Sequence, residues 1–167
     1  MTRPTISTRV TLPRPRVRPL RDLPGCRLTS LPDVRGWAVV LDGGVVVGLV
    51  ERIFVDLRDR EARYLDIGLD GRVVARAAGR SWRVLVPVGR ARLPAEANVV
   101  RLPGLSLGQV AELPDTPPFG VTREVESWVL RWFAARPPHG DDGFYASEAF
   151  KVSALMAERR GPGEAPG

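Results

Sequence analysis

Short runs of β-branched and aromatic residues fill the first two-thirds of the chain, and a helical period replaces them near residue 121. Val34-Arg35-Gly36-Trp37-Ala38-Val39-Val40-Leu41 predicts a strand, and Asp42-Gly43-Gly44 behind it is a strong hairpin signal. Val45 to Leu57 continues as a second strand, with Gly48 expected at a bulge or a close backbone approach. Ala62 to Leu69 predicts a third strand, with Ala62, Tyr64 and Asp66 alternating against Arg63, Leu65 and Ile67. Asp70-Gly71 predicts a turn, and Arg72 to Ala75 a short edge strand. Trp82 to Val86 is a strand that stops at Pro87, and Asn98 to Leu102 is the last. Five or six short strands with closely spaced turns predict a mainly β fold, a small and strongly bent sheet or barrel.

Beyond the strands, Leu105 to Val110 predicts one or two helical turns, and Pro114, Pro117 and Pro118 mark a linker. Val121, Val125, Trp128, Val129, Trp132 and Phe133 then recur at helical spacing on one face. Thr122 is the expected N-cap, with Glu124 and Glu126 where the helix dipole favours acids. That aromatic stripe packs on the core or faces a partner; Trp128 and Trp132 are the residues a partner would meet. Ser147 to Arg160 predicts a second, shorter helix ending at Gly161-Pro162.

The N-terminal stretch has a different character. Residues 1–30 carry Pro4, Pro13, Pro15, Pro19 and Pro24, which fix φ and remove backbone donors, so an extended arm is expected there. The formal charge of the whole chain is +6, and Arg3, Arg9, Arg14, Arg16, Arg18 and Arg21 against Asp22 place +5 of it before residue 23. The excess is thus a basic strap rather than a basic domain face. A strap of that kind suits an acidic protein surface or anionic lipid headgroups, with Arg14, Arg16, Arg18 and Arg21 as its contacts. The expected organisation is the arm at 1–30, a β domain at 31–112, a linker and helical region at 113–160, and a disordered tail at 161–167.

Composition narrows the chemistry. Hydrophobic residues make up 44% of the chain, enough to bury a core, while Gly 17 and Pro 16 argue for many turns. Cys26 is alone, so no internal disulfide can form, and one His139 leaves no Cys/His zinc set. His139 with Asp141 and Asp142 lies in a Gly/Pro-rich turn and is a poor metal site. No stretch approaches the roughly 18 apolar residues of a membrane span. Gly43-Gly44 with Gly48 lacks the Lys-Ser/Thr ending of a phosphate loop. No nucleophile, base and orienting group can be named together, so no enzymatic activity is expected. Asp56, Asp59, Glu61 and Asp66, interleaved with Arg58, Arg60 and Arg63, form the one acidic cluster. It reads either as a hairpin tip whose ions pair with each other or as a series of carboxylates that hand protons inward.

Several of these blocks together resemble a known family. Asp33 to Val40, Gly44 to Val50, Phe54-Val55-Asp56 and Arg63-Tyr64-Leu65-Asp66-Ile67 resemble a PRC-barrel, and more narrowly the cytoplasmic domain of the photosynthetic reaction-centre H subunit. Arg16-Val17-Arg18-Pro19-Leu20 resembles the basic-aliphatic-basic-Pro segment entering that barrel. Arg83 to Pro87 resembles its Arg-Val-Leu-Leu-Pro strand. Val121-Thr122 with Glu124 and Glu126 resembles the start of its helix, and Phe144-Tyr145-Ala146 its C-terminal Tyr-Ala.

The resemblance implies a small PRC-type β-barrel with an extended N-terminal arm and C-terminal helices. It implies a non-catalytic cap on reaction-centre membrane subunits, at the cytoplasmic face of the photosynthetic inner membrane, that assists proton transfer to the secondary quinone. No cofactor is expected on this chain; bacteriochlorophyll, quinones and iron belong to the partner subunits. By position, Asp56 and Asp59 match acids on the family's proton route and Arg63 an arginine beside it. The family's N-terminal transmembrane helix has no counterpart in the sequence, so a separate transmembrane anchor protein is expected. Leu12-Pro13-Arg14-Pro15 lacks the titratable groups of the family's proton-uptake surface. The competing reading is a free-standing PRC-barrel adaptor that binds RNA or ribosomal protein; a basic charge confined to one arm without interleaved aromatics argues against it.

Overall fold

The computed structural model describes residues 15–75, 82–133 and 144–159. Six strands form one sheet: β1 (Val17–Pro19), β2 (Ala38–Leu41), β3 (Val46–Asp56), β4 (Ala62–Leu69), β5 (Arg83–Pro87) and β6 (Val99–Leu102). Their order is β5-β4-β3-β2-β6, with β1 paired to β3. All neighbours are antiparallel except β2 and β6, which run parallel. The fold is mainly β, as expected. The sheet is open, however: β5 and β6 stand at opposite ends of the order, and among the described residues no ladder joins them.

The helices are short: α1 (Gly71–Val74), α2 (Leu107–Ala111), α3 (Arg123–Trp132) and α4 (Val152–Leu155). Ser106 and Gln109 form a reciprocal capping box on α2, and the Thr122 hydroxyl caps α3 by accepting from the Val125 N–H. Three expectations are corrected. Arg72 to Ala75 does not form an edge strand, because the Asp70 carboxylate accepts from the Arg72 N–H at 2.9 Å and starts α1. The C-terminal helix is broken into a 3-10 turn at Glu148–Phe150 and α4. The arm joins the sheet from Val17, whose side chain is fully buried, and Leu20, Leu23, Cys26 and Leu28 pack on the core behind it. Pro19 at the end of β1 is tolerated because β1 is a three-residue edge strand.

Both faces of the sheet are covered at its centre, and all eight residues of β4 are buried. The alternation of side chains divides them. Leu65, Ile67 and Leu69 enter an apolar core with Ile53, Val55, Val84, Val86 and Val100. Tyr64 and Asp66 point the other way, toward a second cluster containing Phe54, Leu85, Val129, Leu130, Phe144 and Phe150. Two glycines let backbones meet. A Cβ at Gly48 would lie 2.1 Å from the Gly68 carbonyl oxygen on β4, which confirms the close approach expected there. One at Gly89 would lie 1.9 Å from the Glu148 carbonyl, so the C-terminal segment rests directly on the turn after β5.

Candidate functional site

The second face of the sheet carries the chemistry. Strand register places Arg52 opposite Asp66, Asp66 opposite Leu85, Phe54 opposite Tyr64, and Val17 opposite Asp56. The side chains of Arg52, Asp56, Tyr64 and Asp66 therefore form a polar seam buried beneath α3 and the segment from Phe144 to Phe150.

Asp56 is completely buried. Arg16 grips it as a fork, Nε to Oδ1 at 2.7 Å and an Nη2 to Oδ2 at 2.5 Å, and the Arg58 N–H donates to Oδ1 at 2.9 Å. Burial alone would raise the Asp56 pKa, but the Arg16 fork, the Arg58 N–H and the charges of Arg16 and Arg63 outweigh it. The net effect holds the carboxyl below the usual aspartate range, and Asp56 is a fixed anion. Arg63 lies between acids: its Nε is 3.9 Å from Asp56, and its guanidinium pairs with Asp59, whose side chain is 42% exposed. The expected trio of Asp56, Asp59 and Arg63 is thus one cluster reaching from the interior to the surface.

Asp66 does not join it. One oxygen of Asp66 receives both Arg52, at 2.6 Å, and Arg83, while the other is buried without a partner among the described residues. Arg52 also donates to the Pro118 carbonyl at 3.2 Å and stacks over Phe54 at 5.0 Å. Glu61, the remaining acid of the sequence cluster, accepts from the Ser30 hydroxyl at 3.1 Å.

The basic strap is dispersed. Arg16 belongs to the seam, forked on Asp56, with its side chain 26% exposed. Arg18 and Arg21 lie 4.0 and 3.6 Å from Asp22, which offsets part of their charge. Arg14, His139, Asp141 and Asp142 lie outside the described residues. On α3, Trp128 is 44% exposed, whereas Trp132 is half-buried and edge-on to Phe133 at 4.8 Å. The buried residues of α3 are Glu126, Val129 and Leu130; of the predicted stripe, Val121 and Val129 are buried with Val125 and Phe133 packed beside them, while Trp128 faces outward.

Glu126 stands in the first turn of α3, as expected, but sequence reading did not single it out as a buried group. It is 2% exposed. Its Oε1 accepts from the Tyr145 hydroxyl at 2.6 Å and from the Tyr64 hydroxyl at 3.1 Å, and its Oε2 lies 3.1 Å from Arg123. Burial raises its pKa; Tyr145, Arg123 and Tyr64 oppose the rise, Asp56 adds to it, and the net shift is upward. Burial, followed by Glu126, raises both tyrosines as well. The Tyr145 ring collects cations: Arg63 at 4.1 Å, Arg16 at 5.1 Å and Arg123 at 5.4 Å from its centroid. The ring thereby links the Asp56 cluster to the Glu126 cluster. The signal available in the sequence was the position of Glu126 three and four residues before Val129 and Leu130, on one helical face.

Chemically the seam pairs a locked anion, Asp56, with a carboxyl of raised proton affinity, Glu126, and its pieces come from five separated segments. No family model matches the chain, and no curated protein matches it either.

Proposed function

We propose that this chain is a non-catalytic subunit that caps the cytoplasmic face of a photosynthetic reaction centre and assists proton transfer to the secondary quinone. In this reading the open six-stranded sheet with its short C-terminal elements is a PRC-type barrel. The partners are the membrane subunits that hold bacteriochlorophyll, quinones and iron, together with a separate transmembrane anchor. Among the described residues no helix is long and apolar enough to cross a membrane, so a peripheral attachment to that assembly suits the chain.

The observation that carries the reading is the convergence of the segments on which the resemblance rests. Arg16-Val17-Arg18, the hairpin pieces Val55-Asp56 and Arg63-Tyr64, and Tyr145 lie in three separate parts of the sequence, and they meet in one buried seam whose outermost acid, Asp59, reaches solvent. A surface carboxylate joined to a buried ion-pair cluster is the arrangement that a proton-assisting cap requires. Exposed Trp128 gives such a cap an aromatic contact for a neighbour.

The test is affinity capture of tagged chain from gently solubilised membranes, followed by an absorption spectrum of the eluate. Stoichiometric bacteriochlorophyll bands are expected. A colourless eluate rich in RNA or ribosomal protein would overturn the reading in favour of an adaptor. Given pigment, Asp59→Asn should slow proton-coupled reduction of the secondary quinone while assembly is retained, because Asp59 is the acid of the cluster that is not enclosed.

A further inference from the structure

We propose that Glu126 is the proton-exchanging residue of the seam, filled and emptied through the Tyr145 hydroxyl, with Asp56 as a fixed like charge nearby. This deepens the function proposed above by naming the group that holds the proton, and its chemistry can be tested on the isolated chain.

Geometry selects the residue. Glu126 is enclosed on every side by groups that can report or balance its charge. Tyr64 reaches it from β4, Tyr145 from the turn at Phe144–Ala146, Arg123 from its own helix, and Asp56 on β3 acts on it as a like charge. Arg63 and Arg16 stand over the ring of Tyr145, the tyrosine that donates to it. Of the two hydroxyls on Oε1, Tyr64 belongs to a fully buried side chain, whereas Tyr145 is half-buried and makes the shorter bond, 2.6 Å against 3.1 Å. Tyr145 is therefore the way in and out.

The step balances without any electron transfer. A hydronium ion at the surface gives a proton to the Tyr145 oxygen. As that O–H bond forms, the original Tyr145 O–H bond breaks and its proton passes to Glu126 Oε1. Water and a neutral tyrosine remain, and Glu126 becomes a neutral carboxylic acid. Release is the reverse. Arg123 then loses its ion pair but stays over the Phe144 ring at 3.8 Å and near Tyr145, so its charge is not stranded. The enclosure that raises the proton affinity of Glu126 supports the assignment, and the Arg16 fork on Asp56 keeps that carboxyl from competing.

The experiment is a pH titration of the purified full chain with glutamate side chains labelled in carbon-13, following each carboxyl carbon. One glutamate should titrate above all others, and its signal should be missing from Glu126→Gln. In Tyr145→Phe the same signal should move further upward, because a hydrogen bond to the ionised form is gone, and its exchange should slow. Arg123→Gln should also move it upward. Glutamates that all titrate together would overturn the proposal. So would a high-titrating signal that survives Glu126→Gln, or one unmoved by Tyr145→Phe. Should Glu126→Gln fail to fold, the Tyr145 and Arg123 variants decide the question through the same signal. The pigment capture is independent: a colourless eluate with this titration intact would remove the reaction-centre reading and leave the proton site standing.

Discussion

The two faces of this sheet are built on different principles. On one, Leu65 and Ile67 of β4 meet Ile53, Val84 and Val86 in an all-carbon core. On the other, two positions along the same strand, Asp66 is clamped by arginines and Tyr64 hydrogen-bonds a buried glutamate. The apolar face gains free energy from every methylene it hides, roughly 25 cal/mol per Å². The polar face first loses hydration and recovers it only if each acid finds its arginine: Asp56 with Arg16, Asp59 with Arg63, Asp66 with Arg52, Glu126 with Arg123. The first face supplies stability, and the second demands one particular arrangement of segments.

The largest effect should come from breaking the polar face one-sidedly. Asp66→Asn leaves buried Arg52 and part-buried Arg83 around a neutral side chain and should cost about 3–5 kcal/mol, measured by urea unfolding. Replacing the trio together, Arg52→Met, Asp66→Leu and Arg83→Met, should recover most of that loss. Equal instability of the triple variant would mean that the ion pairs contribute net stability and that the contrast between the faces is drawn too sharply. The apolar face should respond differently. Leu65→Ala removes a fully buried side chain from opposite Ile53 and Val86 and should cost about 2–4 kcal/mol, with no change in how stability depends on pH. A pH-dependent loss there would show that the two faces are coupled through β4.

The same contrast governs what the sequence makes legible. Period-two alternation is a local signal, so β2, β3, β4, β5 and β6 could be placed from it, and the cap at Thr122 placed α3. The polar seam is non-local. Arg16 and Asp56 are 40 residues apart, Tyr64 and Glu126 are 62 apart, and no window of sequence contains both partners. Hydrophobic periodicity left open whether the stripe with Trp128 faces the core or a partner, and it did not single out Glu126, which takes a buried place because two tyrosines and an arginine satisfy its charge. The β1 strand was hidden by prolines that argue for an isolated arm; what overrides them is Val17, buried between β3 and Val121. Asp56, Asp59 and Arg63 were found because they lie within eight residues of one another. The role of Asp66 as the centre of a separate arginine clamp was not, because Arg83 comes from the next strand.

The smallest effect, and the sharpest comparison, lies between the two enclosed carboxyls of the polar face. Asp56 has its pKa lowered by folding, so its contribution is present above the ordinary aspartate range and is lost as pH falls through the lowered value. Glu126 has its pKa raised, so the folded state binds the proton more tightly than the unfolded chain does. Its contribution is full below the ordinary glutamate range and is lost as pH rises through the window up to the raised value. Acidification should therefore release two opposite trends from groups that share the Tyr145 ring. Thermal melts across a pH series should separate them. Glu126→Gln should abolish the decline on the alkaline side of the glutamate range and leave the acid-side loss, which belongs to Asp56 and the other ion-paired carboxylates. An unchanged alkaline-side slope in Glu126→Gln would mean that Glu126 remains ionised at no cost. The seam would then be a static set of ion pairs rather than one holding an exchangeable proton.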